Sequence, residues 1–191
     1  MRIAAIVTLC LLAACRGRDA GPSPDEYGEI FYWWIESHQE PAWGDCSDDP
    51  DLRATSDAYD HIDGSYIFYQ VSDDGTTASA MTCETTAASS CEPRDPPLVM
   101  TVDGHHLVGE GLISETPYDN ADCTQVAWLG QDLTDGGGTL DFTFTTRFEL
   151  DGPDCQAVED QLAGTSSNGY GVDGCTLVVD GTAVYEDSRR P

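Results

Sequence analysis

The sequence predicts a mainly β domain in which an antiparallel meander closes as a barrel or a sandwich. Asp-Gly pairs recur between short segments of alternating polar and apolar residues, and Asp-Gly favours the two-residue turns that join antiparallel strands. The clearest alternating segment is Thr139–Leu150, whose Leu and Phe side chains would face a core while its Thr, Asp, Arg and Glu side chains face water. Seven or eight strands at this spacing are typical of a barrel or a sandwich.

The first predicted element of the domain is an N-terminal helix over residues 24–39. Ser23 fits the N-cap, Pro24 the first helical position, and Glu26 lies three residues after the cap. One helical face would then carry Tyr27, Ile30, Phe31, Trp34, Ile35 and His38. The segment Phe31–Ile35 is also compatible with an aromatic strand.

Three Asp-Gly pairs predict hairpins, and a second helix follows near the C-terminus. The predicted hairpins join Ser65–Ser72 to Thr77–Cys83 at Asp74-Gly75, Leu98–Val102 to His105–Glu110 at Asp103-Gly104, and Cys175–Val179 to Thr182–Glu186 at Asp180-Gly181. Cys123–Leu129 forms a further predicted strand. Residues 154–163 form a predicted short helix, with Gly164 at the position that ends a helix.

The first fifteen residues have the pattern of an export signal. After the positive start Met1-Arg2, the apolar run Ile3–Leu12 fits a signal peptide and is too short to span a bilayer. The run ends in Leu12-Ala13-Ala14-Cys15, which resembles the bacterial lipobox, the motif at which a lipoprotein signal peptide is removed and the cysteine is acylated. An ordinary signal peptide cut after Ala14 is the alternative.

The lipobox resemblance implies a domain organisation and a location. Residues 1–14 would be a lipoprotein signal peptide, 15–23 a lipidated tether beginning at Cys15, and 24–191 a single disulfide-stabilised β-rich domain. Acyl chains on Cys15 would attach the protein to a membrane of the cell envelope. In enterobacterial lipoproteins an Asp after the cysteine retains the protein at the inner membrane, so Arg16 favours the outer membrane or the cell surface.

The cysteines that follow Cys15 predict disulfides, because an even number of cysteines in an exported chain usually pairs. These are Cys46, Cys83, Cys91, Cys123, Cys155 and Cys175. Fifteen connectivities are possible; the favoured one joins Cys83 to Cys91, Cys155 to Cys175 and Cys46 to Cys123. Neither a CxxC motif nor a Cys/His ligand quartet occurs, so zinc binding and thioredoxin-like chemistry are not expected.

The charge balance argues against two classes of partner. The chain carries 35 Asp and Glu residues against 8 Arg and no Lys, a formal net charge of −27. Nucleic-acid binding depends on cationic contacts to phosphate, and docking on anionic lipid depends on a basic patch. Neither is expected here. Exclusion of Lys alongside excess Asp is also what a salt-adapted surface looks like.

The acidic segment 44–63 supplies the candidate metal ligands Asp45, Asp48, Asp49 and Asp51. Calcium prefers carboxylate and carbonyl oxygens, which such a segment offers. The spacing does not match the EF-hand loop, so a solvated acidic loop without a cofactor is expected, with calcium as the alternative.

No catalytic residues are predicted. The nucleophile elbow GxSxG, the zinc motif HExxH and the glycine patterns that bind phosphate do not occur. The expectation is a non-catalytic binding or structural domain whose ligand, in the envelope or outside the cell, is unknown. Two alternatives remain open: an envelope hydrolase that uses a carboxylate pair, and a calcium-dependent adhesion module that uses the acidic segment.

Overall fold

A computed structural model of the chain describes residues 30–44, 62–85, 88–163 and 173–185. The strands are β1 (Ile30–His38), β2 (Ala42–Gly44), β3 (Tyr66–Val71), β4 (Thr77–Cys83), β5 (Cys91–Pro93), β6 (Val99–Asp103), β7 (His106–Pro117), β8 (Thr124–Asp135), β9 (Thr139–Asp151) and β10 (Thr176–Tyr185). The helix α1 covers Cys155–Ala163, and a 3₁₀ turn covers Ala88–Ser90.

Eight of these strands form a closed antiparallel barrel. They follow the order β1-β3-β4-β6-β7-β8-β9-β10, and β10 pairs back with β1. The short strands lie beside this ring, where β2 pairs with the start of β10 and β5 with the end of β4. The predicted meander is therefore confirmed, and it closes as a barrel rather than as a sandwich.

The segment Ile30–His38 is a strand, so the predicted helix over 24–39 is wrong for its described part; residues 24–29 lie outside the described residues. Phe31, Trp33 and Ile35 point into the barrel and are at most 2% exposed. Apolar residues at i, i+3 and i+4 fit a helix, but Ile30–Ile35 is a continuous apolar run, which fits a strand as well, and aromatic residues favour strands. Its pairing with both β3 and β10 closes the barrel and decides between the two patterns.

Side chains fill the interior of the barrel. Those at most 2% exposed include Phe31, Trp33, Leu98, Met100, Leu133, Leu140, Phe142 and Val179. An eight-stranded barrel is just wide enough for side chains to fill. The interior is therefore a packed core.

Two of the three predicted hairpins are confirmed. Gly75 and Gly104 have φ of +69° and +61° in the turns after β3 and β6, where their freedom from a Cβ clash is needed. The third is wrong, because β10 runs without a turn through Asp180 and Gly181. Gly181 is instead a point of close approach, since a Cβ there would lie 2.3 Å from Phe142 Cζ.

The disulfides agree in part with the prediction. Cys83 is bonded to Cys91 as expected, but Cys123 is bonded to Cys155. The predicted bridges from Cys155 to Cys175 and from Cys46 to Cys123 are therefore wrong. Cys175 is also disulfide-bonded, to a partner outside the described residues, where Cys46 lies as well.

The helix α1 was expected near 154–163 and is confirmed. It forms a small core with the loop that precedes β8: Cys155 and Val158 are each 8% exposed and pack with Cys123, Tyr118 and Leu150. Closing the barrel brings this loop beside the start of the helix, which is why Cys123 reaches Cys155.

Candidate functional site

The residues predicted for lipid or metal binding lie outside the described residues. These are Cys15, Asp45, Asp48, Asp49 and Asp51. Within the described ranges, no group of three or more His, Cys, Asp or Glu side chains is placed to hold a metal ion. Side chains fill the interior of the barrel, whereas polar side chains lie on its outer wall.

A groove of about 350 Å³ crosses the outer wall of the barrel. Four strands form it: β8, β9 and β10 give the outward side chains of one wall, and the end of β1 gives the other. Its lining consists of Ser37, His38, Gln39, Asp132, Thr134, Asp141, Phe142, Thr143, Asp180, Gly181 and Thr182. The groove therefore combines carboxylates, hydroxyls, one carboxamide and one imidazole.

The strand register places the carboxylates and hydroxyls of the groove in alternation. Asp132 on β8 and Asp180 on β10 both lie opposite Thr143 on β9. On the neighbouring row, Thr134 and Thr182 both lie opposite Asp141. Successive outward positions on a strand are two residues apart, so three strands with Asp and Thr at such positions produce this pattern.

Hydrogen bonds within the groove occupy most of the hydroxyl groups. Thr143 Oγ1 donates to Asp180 Oδ1 at 2.5 Å, and the hydroxyls of Ser37 and Thr182 bond to each other at 3.1 Å. By contrast, the Asp141 carboxylate forms no hydrogen bond or ion pair with another described residue. The groove consequently offers more hydrogen-bond acceptors than donors.

Both histidines beside the groove are paired with aspartates. His106 Nε2 lies 2.7 Å from Asp132 Oδ1. His38 Nδ1 lies 2.6 Å from Asp63 Oδ1, and the His38 side chain is 14% exposed. The Asp63 contact fixes the orientation of the ring, because one ring nitrogen is engaged and the other then has a defined direction. No other described residue hydrogen-bonds to His38 Nε2.

A bulge in β1 and a glycine in β10 lie beside the groove. The pairing of the two strands shifts register between Ile35 and Ser37, which leaves Glu36 as the extra residue. Bulges bend a strand and redirect the side chains that follow. Opposite His38 lies Gly181, whose lack of a side chain leaves room on the inward face for Phe142 Cζ and the Ser37 carbonyl. The bulge is followed directly by the lining residues Ser37 and His38.

A second group of polar side chains is buried at one end of the barrel. Burial raises the pKa of Asp135, which is 8% exposed, above its usual range. Its carboxylate accepts a hydrogen bond from the Gly137 amide at 2.6 Å. Burial also raises the pKa of the Tyr69 phenol well above its ordinary value. The contact with Gly137 holds the β8–β9 turn, so we assign Asp135 a structural role.

The sequence indicated the wet face of β9, including Asp141 and Thr143, but not the groove. Asp180 was assigned to a turn, and His38 to a helix. The missing information is the register, which brings β8, β9, β10 and β1 side by side. Outward Asp and Thr residues in several strands were the available signal.

None of the described helices is long and apolar enough to cross a bilayer. Comparisons of the chain with protein-family models, with curated proteins and with solved structures give no match.

Proposed function

We propose that this chain is a lipid-anchored protein of the cell envelope whose barrel domain binds a polar ligand without transforming it. The anchor rests on the resemblance of residues 12–15 to the lipobox and on the apolar run before them. The disulfides Cys83–Cys91 and Cys123–Cys155 are in keeping with export.

The observation that carries the binding function is the groove on the outer wall. Most ligand sites are concave and already formed in the free protein. The barrel interior is filled, whereas the groove has a volume of about 350 Å³ and polar groups held by the strand register. A ligand would therefore bind against the wall formed by Asp141, Thr143 and Thr182.

The anchor is tested by metabolic labelling with a palmitate analogue in a bacterial host. The full chain should incorporate label and partition into detergent, because acyl chains dominate membrane affinity. Cys15→Ser should lose both properties. Cys10→Ser, a change in the same apolar region, should retain them. Label on Cys15→Ser, or none on the unchanged chain, would contradict the anchor.

The binding function is tested with the detergent-solubilised chain against a neutral disaccharide, a dicarboxylate and a polyamine. Calorimetry should show saturable binding of at least one, and chromatography should recover that compound unchanged. Thr143→Phe, which places a ring in the middle of the groove, should abolish binding. The matched control Thr101→Phe changes an exposed threonine of β6 and should bind as before. Cleavage of the compound would favour the hydrolase alternative, and binding unaffected by Thr143→Phe would place the site elsewhere.

A further inference from the structure

We infer that the groove binds an organic ligand that carries two or more ammonium groups. This inference rests on the proposed binding function and specifies its ligand. It follows from the charge of the lining, from the separation of its carboxylates and from the state of its hydroxyl groups.

The charge of the groove favours a cationic ligand. Asp132, Asp141 and Asp180 all line it, and neither of the described arginines, Arg94 and Arg147, does. Arg147 is engaged by Glu110 and Glu149 on another part of the wall. His106 compensates Asp132 only when it is protonated. A neutral or anionic ligand would leave the Asp141 charge unpaired, whereas a cation would pair with it.

The separation of the carboxylates favours an extended ligand over a metal ion. Asp132 and Asp180 flank the same residue of β9, so they lie two strands apart, about 9.5 Å between backbones at the usual strand spacing. Calcium requires its oxygens at about 2.3–2.6 Å, and this spacing does not bring the carboxylates around one ion. Two ammonium groups on one chain could instead contact different carboxylates at once.

The hydroxyl groups of the groove point to a donor-rich ligand. The Thr143 hydroxyl hydrogen is directed to Asp180, and Ser37 and Thr182 bond to each other. Besides the Gln39 amide, the Thr134 hydroxyl and the His38 ring, the lining presents the oxygens of three carboxylates, which only accept hydrogen bonds. An ammonium group carries three donors and no acceptor, so it matches this lining better than a sugar hydroxyl does.

Two features of the groove do not depend on its acidic residues. The register shift of β1 between Ile35 and Ser37 lies beside the lining residues Ser37 and His38. His38 also enters the lining with its ring oriented by Asp63. A ligand thus meets a cavity with fixed walls, which distinguishes this place from the exposed acids elsewhere on the barrel.

The test is calorimetric titration of the detergent-solubilised chain with spermidine at constant ionic strength. We expect saturable binding, weakened about fivefold in Asp141→Asn, as loss of one partly exposed ion pair implies. Asp73→Asn removes the same charge from an exposed turn and should bind within about twofold of the unchanged chain. Circular dichroism of both variants confirms that they are folded.

Two further experiments ask whether the ammonium groups belong to a peptide or to a small polyamine, and whether binding reflects only general attraction between charges. A tetralysine peptide that binds more tightly than spermidine would indicate a lysine-rich partner segment, and the reverse would indicate a small polyamine. Magnesium chloride at matched ionic strength should not displace spermidine. Three results would overturn the inference: magnesium displaces spermidine, Asp141→Asn and Asp73→Asn weaken spermidine binding equally, or spermidine does not bind. Binding of the neutral disaccharide alone, abolished by Thr143→Phe, would overturn it while leaving the proposed function intact.

Discussion

Replacement of Gly181 by alanine should destabilise the barrel at the seam where β10 meets β1. The added Cβ would lie 2.3 Å from Phe142 Cζ and 2.6 Å from the Ser37 carbonyl oxygen. Ordinary contacts begin near 3.4 Å, so the Phe142 ring must move by about 1 Å. That ring is 2% exposed and stacks on Phe144 with centroids 4.7 Å apart, so it has little room.

The expected size follows from the cost of overpacking a filled core. Such changes cost about 1–3 kcal/mol, and in a protein of this length each kcal/mol lowers Tm by about 2–4 °C. We therefore expect Tm to fall by roughly 4–8 °C for a cost near 2 kcal/mol. Because the Ser37 carbonyl belongs to the bulge, the groove should be distorted as well.

Gly130→Ala provides the matched control. Gly130 lies in β8 of the same barrel, but a Cβ there would meet nothing closer than Thr145, at 3.6 Å. Alanine restricts the unfolded chain more than glycine does, so this variant should be unchanged or more stable by about 0.5–1 kcal/mol. Thermal and urea unfolding of both variants with intact disulfides measure the difference. The packing argument fails if Gly181→Ala is as stable as the unchanged chain, or if both variants shift alike.

Four further outcomes are expected. Peptide mapping should find Cys46 bonded to Cys175, since Gly44 pairs with Thr176 and Cys46 follows two residues later; a different partner would refute this. Replacing Cys123 and Cys155 by alanine should cost about 3–4 kcal/mol in urea unfolding, because their separation of 32 residues closes a long loop, and a cost below about 1 kcal/mol would refute the estimate. Burial raises the pKa of Asp135, so this carboxyl group binds a proton more readily in the folded protein than in the unfolded chain. Relative to Asp135→Asn, the unchanged protein should therefore lose stability as the pH rises above the ordinary pKa of 3.8. A difference in stability that does not depend on pH would contradict this prediction. If the acidic surface repels itself, Tm should rise with NaCl as the Debye length falls from about 30 Å at 0.01 M to about 3 Å at 1 M, and a flat profile would contradict it.

The sequence was sufficient for features set by local chemistry. The strand β4 was predicted with its observed bounds, and β9 to within one residue, because their side chains alternate between a core and water. The turns at Gly75 and Gly104 were predicted because both need positive φ. The bridge from Cys83 to Cys91 was predicted because only a short segment separates the two residues.

Features set by pairing between distant strands were missed. Apolar spacing alone could not decide β1, because a continuous apolar run fits a helix or a strand, and the pairing with β3 and β10 decides between them. Asp180-Gly181 has the composition of a turn, but the packing of Phe142 against Gly181 keeps the chain extended. Proximity in sequence favoured Cys155 with Cys175, whereas the closed barrel brings the loop at Cys123 to the helix. The groove depends on the same long-range register and could not be located without it.

The acidic residues of this chain divide into those with a structural task and those without one among the described residues. Asp74 accepts hydrogen bonds from Ser72 and Thr76, which lower its pKa, and so stabilises the β3–β4 turn. Asp132, Asp141 and Asp180 lie within strands, where aspartate is depleted, so turn chemistry does not account for them. Adaptation to salt would require acidic residues on the exterior, but it would not require them at particular strand positions. Their alternation with threonines across three strands places them together in the groove, as the proposed cationic ligand would require.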